Sequence, residues 1–503
     1  MKAELDSDKM KDACGVFAIH APDKDVARIT YFALFSLQHR GQESSGIAVY
    51  SGKEIVCYKN MGLVTLVFDE KILKLLKGRM AVGHVRYSTT GSSNEVNAQP
   101  ILAGPEVKKQ QNGCGPKYYR EVAVAHNGNL VNTATLRSEL EEEGVEFATS
   151  SDTEVIAEMI STSDKPTAEE AVISSLRQLR GAFSLVILCD GKIFAARDSL
   201  GIRPLCLGKL GEDKWLAASE TCAFSIIGAQ FEREIKPGEL VIIDDSGVKS
   251  IEYVKPQREA LCIFEFIYFA RPDSTMLGQT LYTVRKNLGA ILAEESPADA
   301  DVVISVPDSG TPAAIGFAQA SGIPFVDGLI KNRYVGRTFI QPNQEMRELG
   351  VKMKLNPLSD NIRGKRVVMV DDSIVRGSTS SKIVSLLRAN GATEVHVRVS
   401  SPPVKFPCFY GIDTASREEL VASQLSVEQI RVMLGADSLS YISEEGMFKA
   451  TSMDRHNFCS ACFTEEYPIP IPQQLHLEKL MYENGKKQEN RVPTCLRENN
   501  PRS

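Results

Sequence analysis

Three places in this 503-residue chain combine residue types that could do chemistry. The first is Cys14, in "MKAELDSDKMKDACGVFAIH", which follows a short charged leader at the edge of the first apolar run. A core thiol needs no such placement, whereas a cysteine that becomes the first residue of a processed chain does. The second is "VVMVDDSIVRGSTSS", residues 367–381. A buried-strand pattern ends there in Asp371 and Asp372, a loop containing Gly377 follows, and a helix begins. Backbone N–H groups at a helix N-terminus favour a phosphate, and a glycine lets the chain approach it closely. Carboxylates at a strand end are costly unless compensated, which sugar hydroxyls or Mg²⁺ would do. A plain Asp-Asp turn capping the helix uses the same residues. The third is the late cysteines: "NFCSACF" gives Cys459 and Cys462 a CxxC spacing, while Cys408 and Cys262 stand alone. By itself CxxC serves zinc, redox chemistry or nothing.

Two kinds of chain organisation position these residues. From Cys14 to about residue 255, short apolar runs are broken by turns, and "GVFAIH", "SGIAVY", "MAVGHV", "VAVAHN", "FSLVIL", "KIFAAR" and "LVIIDD" read as strands. Helical spacing appears around "ARITYFALFSLQHR" and "SDTEVIAEMISTS". Many strands with few helices predict a layered α/β domain with antiparallel sheets. From about residue 260 the rhythm becomes strand, helix, strand: "DVVISV", "TPAAIGFAQASG", "IPFVDGLI", then "RVVMV", "STSSKIVSLLRANGA" and "EVHVRV". That is βαβ logic with a parallel sheet. Ile383, Val384, Leu386 and Leu387 share one helix face, and Gly391 is placed to end that helix. The expected boundaries are 1–13 leader, 14–255 first domain, 256–465 second domain, and 466–503 a disordered tail rich in polar residues and proline.

Bulk properties narrow the function. A net charge of −6 argues against a general nucleic-acid or membrane-surface binder, and no apolar run approaches transmembrane length. The leader is interrupted by charge and has no apolar segment, so it is not read as a secretory signal. Eleven cysteines without an export signal point to a reducing cytoplasm and to thiols, ligands or a nucleophile. Cys57, Cys189, Cys206 and Cys222, among apolar neighbours, read as core residues.

Alone, Cys14 reads as one more core thiol; its company changes that. "HRGQESSGI", "GHVRYSTTG", "NAQP", "AHNGNLVN", "TSSDTE" and "RDSLGIRPL" follow in order. Together they resemble the glutaminase domain of N-terminal-nucleophile amidotransferases over nearly all of residues 14–250. The resemblance implies that Arg86 grips the glutamine α-carboxylate and Asp152 the α-ammonium. It makes Asn127, by its side-chain amide, and Gly128, by its N–H, the oxyanion hole. Arg40 would order the nucleophile's surroundings on the glutamine side. An N-terminal cysteine carries its own base, an α-amine of pKa about 8, so the leader Met1–Ala13 would be a propeptide. His39, His84 and His126 are then structural hydrogen-bonding groups.

The stretch 367–381 resembles the signature loop of type I phosphoribosyltransferases, which bind 5-phosphoribosyl 1-pyrophosphate (PRPP). The resemblance implies that Asp371 and Asp372 hold ribose hydroxyls and Mg²⁺, and that Arg376, Gly377, Ser378 and Thr379 cradle the 5′-phosphate. Ser309, in "SVPDSGTPAA", is a further candidate near the metal, and an N-cap explains it equally well. Lys331, Arg333 and Arg337, in "KNRYVGRTFIQP", suit a lid over pyrophosphate or a solvated basic loop. With "CIFEFIYFARPDS" at the junction, the two halves resemble the amidophosphoribosyltransferases, in particular their propeptide-bearing, iron–sulfur branch. That resemblance implies one Mg²⁺ per subunit and one [4Fe–4S] cluster on Cys262, Cys408, Cys459 and Cys462, with Cys₄ zinc as the chemical alternative. It also implies ammonia channelled between the sites, feedback inhibition by purine nucleotides, and a homotetramer. A sugar-phosphate amidotransferase would lack the 367–381 loop, and a PRPP-sensing regulator would need a DNA-binding module. The loop at 102–121 is longer than the family usually has there and its Cys114 has no assigned position, while the tail beyond Cys462 matches nothing in the family.

Overall fold

The computed structural model describes residues 14–87, 94–104, 120–332, 355–412 and 417–472. The expectations for the leader, Arg333, Arg337, Cys114 and the greater part of the 102–121 loop lie outside the described residues.

The first half is built from alternation. In β1 (Gly15–His20), Phe17 and Ile19 join a core with Ala33 and Leu34 of α1 (Val26–Ser36). The intervening Val16 and Ala18 face the opposite way, into a core shared with a second sheet. β2 (Ser44–Tyr50) and β3 (Met80–Arg86) lie in the sheet of β1, which has seven strands and pairs antiparallel. β4 (Val122–Leu130) belongs to the second sheet, of six antiparallel strands. Its Val122 and Val124 pack with α2 (Asp152–Ser161) and α3 (Ala168–Gln178), while Ala123 and Ala125 enter the inter-sheet core. The result is a four-layer helix–sheet–sheet–helix sandwich. Small residues (Ala18, Ala48, Ala123, Ala125, Ala195, Ala217) let the two sheets approach each other. β5 (Gly181–Cys189) pairs with β4 along its length.

The second half follows the strand–helix rhythm. β6 (Val302–Ser305), β7 (Arg366–Asp371), β8 (Glu394–Val399) and β9 (Ser438–Tyr441) form a four-stranded parallel sheet in that order. The helix predicted after β7 is α4 (Ser378–Ala389), with Ile383, Val384 and Leu387 buried and Leu386 partly so. Gly391, at φ 98°, takes the left-handed step beyond its end. "IPFVDGLI" departs from the expected rhythm. It touches the sheet through one Val303–Phe325 bridge, and Leu329–Lys331 pairs antiparallel with Leu355–Pro357 instead.

Between the halves, Glu265–Phe269 forms a π-helical turn. Described residues as far as Ile469 belong to one compact unit, and those from Pro470 to another. Beyond position 466, Tyr467 Oη donates to Pro407 O (2.6 Å) and Ile469 O accepts from Tyr410 Oη (2.6 Å). No helix among the described residues is long and apolar enough to cross a membrane.

Candidate active sites

Cys14 immediately precedes β1 and is buried, its Sγ donating to Tyr87 O at 3.4 Å. Burial pushes its thiol up, the charges of Arg86 and Arg203 pull it back in part, and Asp152 pushes it up again. Arg86 ends β3, and α2 begins at Asp152, so two sheet strands and one helix end converge on the thiol. Ser151 caps α2 through Thr153 N, which turns the Asp152 carboxylate toward Leu130 N at 3.1 Å. Burial raises the Asp152 carboxyl, yet His126 and the N–H groups of Leu130 and Thr153 outweigh it and hold it below the ordinary range.

Asn127 and Gly128 lie on β4, opposite Ser184 and Phe183 of β5. The Asn127 side chain is fully buried, and its Nδ2 has no hydrogen-bond partner. A buried amide N–H without a partner is costly, so a donor aimed into a reaction site is the natural account of it. Gly128 holds φ 148°, and a Cβ there would lie 2.0 Å from Ala182 O.

Arg40 is buried against the backbone of Cys14. Its Nε donates to Cys14 O (3.1 Å), and its terminal nitrogens to Glu220 and Glu265 (3.0 and 2.7 Å to the Glu265 oxygens). The guanidinium is spent on the nucleophile's backbone and two buried carboxylates, so it positions Cys14. Glu220 is raised by burial but lowered further by His39 and Arg40, leaving it well below the ordinary range. His39 bonds Glu220 at 2.7 Å, and His84 Nε2 donates to His126 O at 3.0 Å, as structural histidines do. Burial pushes His84 down to about 3.

Sequence reasoning gave no role to Arg203 of "RDSLGIRPL", which is buried beside Cys14 with its Nε 3.3 Å from Asn127 Oδ1. It also missed the segment after Cys408. Asn129 Nδ2 donates to Phe409 O (2.9 Å), and a Cβ on Gly411 would lie 2.7 Å from Gly128 Cα. The second half thus lies directly against the strand carrying Asn127 and Gly128. No local pattern reveals a contact between residues nearly three hundred positions apart.

In the second half, β7 delivers Asp371 and Asp372, both buried, to the carboxyl end of the parallel sheet. Asp371 Oδ1 accepts Asp372 N (2.9 Å), and Asp372 Oδ2 accepts Ser373 Oγ (2.7 Å). Gly377, at φ 80°, leads into Ser378 and Thr379 at the start of α4, whose N–H groups face this loop. Arg376 is ion-paired with Glu419. The turn carrying Ser309 abuts β7: a Cβ on Gly310 would meet Asp371 Cα at 3.3 Å. Lys331 Nζ donates to Asp308 at 2.8 Å. Open parallel sheets bind ligands at this end of their strands.

The four cysteines come together as well. Cys262 and Cys459 are register partners in a two-stranded parallel pair. Cys462 O accepts from Lys405 N and Phe406 N, which bring in the Cys408 segment. Burial pushes the Cys262 thiol up to about 12, and it raises Cys459 and Cys462 too. In each of these three, charge on the neighbouring cysteines adds to the shift. Among the described residues, no three His, Cys, Asp or Glu side chains gather closely enough to hold a single metal ion.

A nucleophile-first αββα sandwich joined to a parallel sheet with an Asp-Asp-loop-helix end defines a glutamine amidotransferase coupled to a phosphoribosyltransferase. Residues 106–225 match the glutamine amidotransferase domain family, and 278–401 the phosphoribosyl transferase domain family. The chain is 52% identical over 481 residues to the amidophosphoribosyltransferase of Synechococcus elongatus, covering 95% of each chain. It is similar to the glutamine PRPP amidotransferase of B. subtilis complexed with ADP and GMP: 49% identity, TM-score 0.85, 92% of this chain and 100% of that one. A solved allosteric regulatory enzyme of purine biosynthesis is 48% identical with TM-score 0.86, over 92% of this chain and 99% of the other. The chain belongs to the amidophosphoribosyltransferase family. Its reaction takes the amide nitrogen of glutamine to PRPP, giving 5-phosphoribosylamine, glutamate and pyrophosphate, the first committed step of purine biosynthesis.

Proposed function

We propose that the two half-reactions divide between the sites as the buried groups suggest, and the observation that carries this is the partnerless Asn127 amide in the neighbourhood of Cys14. Removal of Met1–Ala13 frees the Cys14 α-amine, which takes the thiol proton as sulfur attacks the glutamine amide. Burial makes that base necessary, because a raised thiol is protonated at neutral pH. Arg86 and Asp152 hold the α-carboxylate and α-ammonium, while Asn127 Nδ2 and Gly128 N–H receive the oxyanion. Ammonia leaves, and water releases glutamate from the thioester. Close packing of Phe409 and Gly411 on β4 supports passage of ammonia to the second site without release to water.

There, Arg376, Gly377, Ser378 and Thr379 would cradle the 5′-phosphate, and Lys331 and Arg333 the pyrophosphate. Asp371 and Asp372, with Ser309 beside them, offer the hard oxygens that suit Mg²⁺, which when bound would offset charge on the leaving pyrophosphate. Cys262 and Cys459, both buried, with the partly buried Cys408 and Cys462, would suit a thiolate-ligated group, a [4Fe–4S] cluster in our reading with Cys₄ zinc as the chemical alternative. When bound, it would tie the segment around Cys459 and Cys462 to the junction. We assign residues 14–255 and 256–465 to the two activities, with purine nucleotides as inhibitors, a homotetramer as the assembly, and the cytoplasm as the location.

A Cys14→Ala variant tests the division. Glutamine-dependent phosphoribosylamine synthesis should vanish while synthesis from ammonia continues. Loss of both activities in a folded variant would overturn it.

A further inference from the structure

We infer that Arg203 is a positioning residue for the glutaminase step, fixing the Asn127 amide so that nitrogen, not oxygen, faces the oxyanion; this rests on the reading of Asn127 as an oxyanion donor. An asparagine amide is nearly symmetric in shape, and turned over it would present a lone pair to a developing negative charge. The hole therefore needs a device that discriminates Oδ1 from Nδ2. Arginine supplies one, because a guanidinium has donors and no acceptor. Arg203 Nε lies 3.3 Å from Asn127 Oδ1, and Nδ2 is left as a buried N–H with no partner. Both residues are fully buried.

Arg203 is itself held on both sides. Its carbonyl accepts from Ser184 Oγ (3.0 Å) and Arg197 Nε (2.8 Å), which fixes the backbone. Its Nη2 lies 2.7 Å from Glu265 Oε1, on the π-helical turn at the junction, as an ion pair without hydrogen-bond geometry, and Arg40 binds the same carboxylate. One buried carboxylate thus anchors the arginine that holds the Cys14 backbone and the one that orients the oxyanion donor. The Nε donation is not replaceable by charge alone, so side chains that separate donor from charge distinguish the two contributions.

Glutamine Nε2 stands at the same distance along the side chain as arginine Nε. Arg203→Gln therefore keeps a donor there and loses the charge. Arg203→Lys keeps the charge and has no donor at that atom, and Arg203→Met has neither. The expected result is a kcat for glutamine hydrolysis that falls about 10–10²-fold in the Lys and Met variants and several-fold less in Gln, with little change in glutamine KM. Ammonia-dependent synthesis, measured on the same preparations, should stay near the parent value and certifies the fold of each variant. In Asn127→Ala, where about 10²–10³ in kcat should already be lost, adding Arg203→Lys should cost little more. A Lys variant that works better than Gln, or a double variant whose losses multiply, would overturn the assignment. Should Asn127→Ala alone leave kcat unchanged, the oxyanion reading itself fails. If a variant does not accumulate, affinity for the γ-aldehyde analogue of glutamine decides in the remaining ones. This probe places an oxyanion in the hole after Cys14 adds to it, so its loss should track kcat, and weakening of glutamate binding to the same degree would overturn the proposal.

Discussion

Replacing Gly411 by alanine should impair glutamine hydrolysis from the far side of the molecule. The new Cβ would sit 2.7 Å from both Cα and C of Gly128, and 2.9 Å from its O. Carbon contacts are comfortable from about 3.5 Å, so one backbone must yield by about 0.8 Å. Gly128 has little room to retreat, because on its other side the space for a Cβ ends 2.0 Å from Ala182 O. Overpacking of this kind costs about 1–3 kcal/mol, and the φ of 100° at Gly411 adds about 1–2 kcal/mol for any side chain. The displacement falls on the N–H and amide donors of β4, and misplacing catalytic groups by about 1 Å commonly costs about 10²-fold. We expect kcat for glutamate release to fall about 10–10²-fold, with glutamine KM changing little. Initial rates of glutamate release, compared with phosphoribosylamine formation from ammonia, make the test. An unchanged kcat, or an equal loss in the ammonia reaction, would refute the reasoning, since the contact would then be inert or would matter only to the second half.

Further predictions concern the other buried groups. Asp372→Asn should weaken PRPP about 10-fold or more and shift the Mg²⁺ requirement upward, read from PRPP KM across a magnesium titration; an unmoved magnesium profile would place the ion elsewhere. Cys408→Ser should lower iron and acid-labile sulfide in anaerobically purified protein together with its thermal midpoint, while zinc in the parent protein would replace the cluster assignment. His84, held neutral down to about 3, is protonated in the unfolded chain at about 6.5. The unfolded state therefore binds more protons between those values, and stability falls as pH drops through that window by at most about 1.4 kcal/mol per unit from this group. Denaturation midpoints at pH 7 and pH 5 should differ less in His84→Gln than in the parent, and an equal difference would remove His84 from the acid response.

The chemistry was legible because it depends on short local patterns. An Asp-Asp pair at the end of an apolar run, followed by Gly377 and a helix start, needs only neighbours in the chain to adopt its shape, and β7 and α4 form where the pattern places them. The same holds for Cys14 at the head of β1, and for the alternation that sends Val16 and Phe17 to different cores. What the sequence by itself left open is what depends on distant partners. Arg40 of "HRGQES" is expected to order the nucleophile's surroundings, but nothing local shows that Glu220 and Glu265, some two hundred residues on, take its guanidinium. Arg203 reads as a turn residue until Asn127 lies against its Nε, and Gly411 as a loop glycine until it meets Gly128. "IPFVDGLI" has the composition of a strand but finds only a single bridge to the sheet. Propensity and periodicity act over a few residues, whereas the orientation of a buried donor is set by whichever group fills the space beside it. Only the tertiary structure brings that group into place.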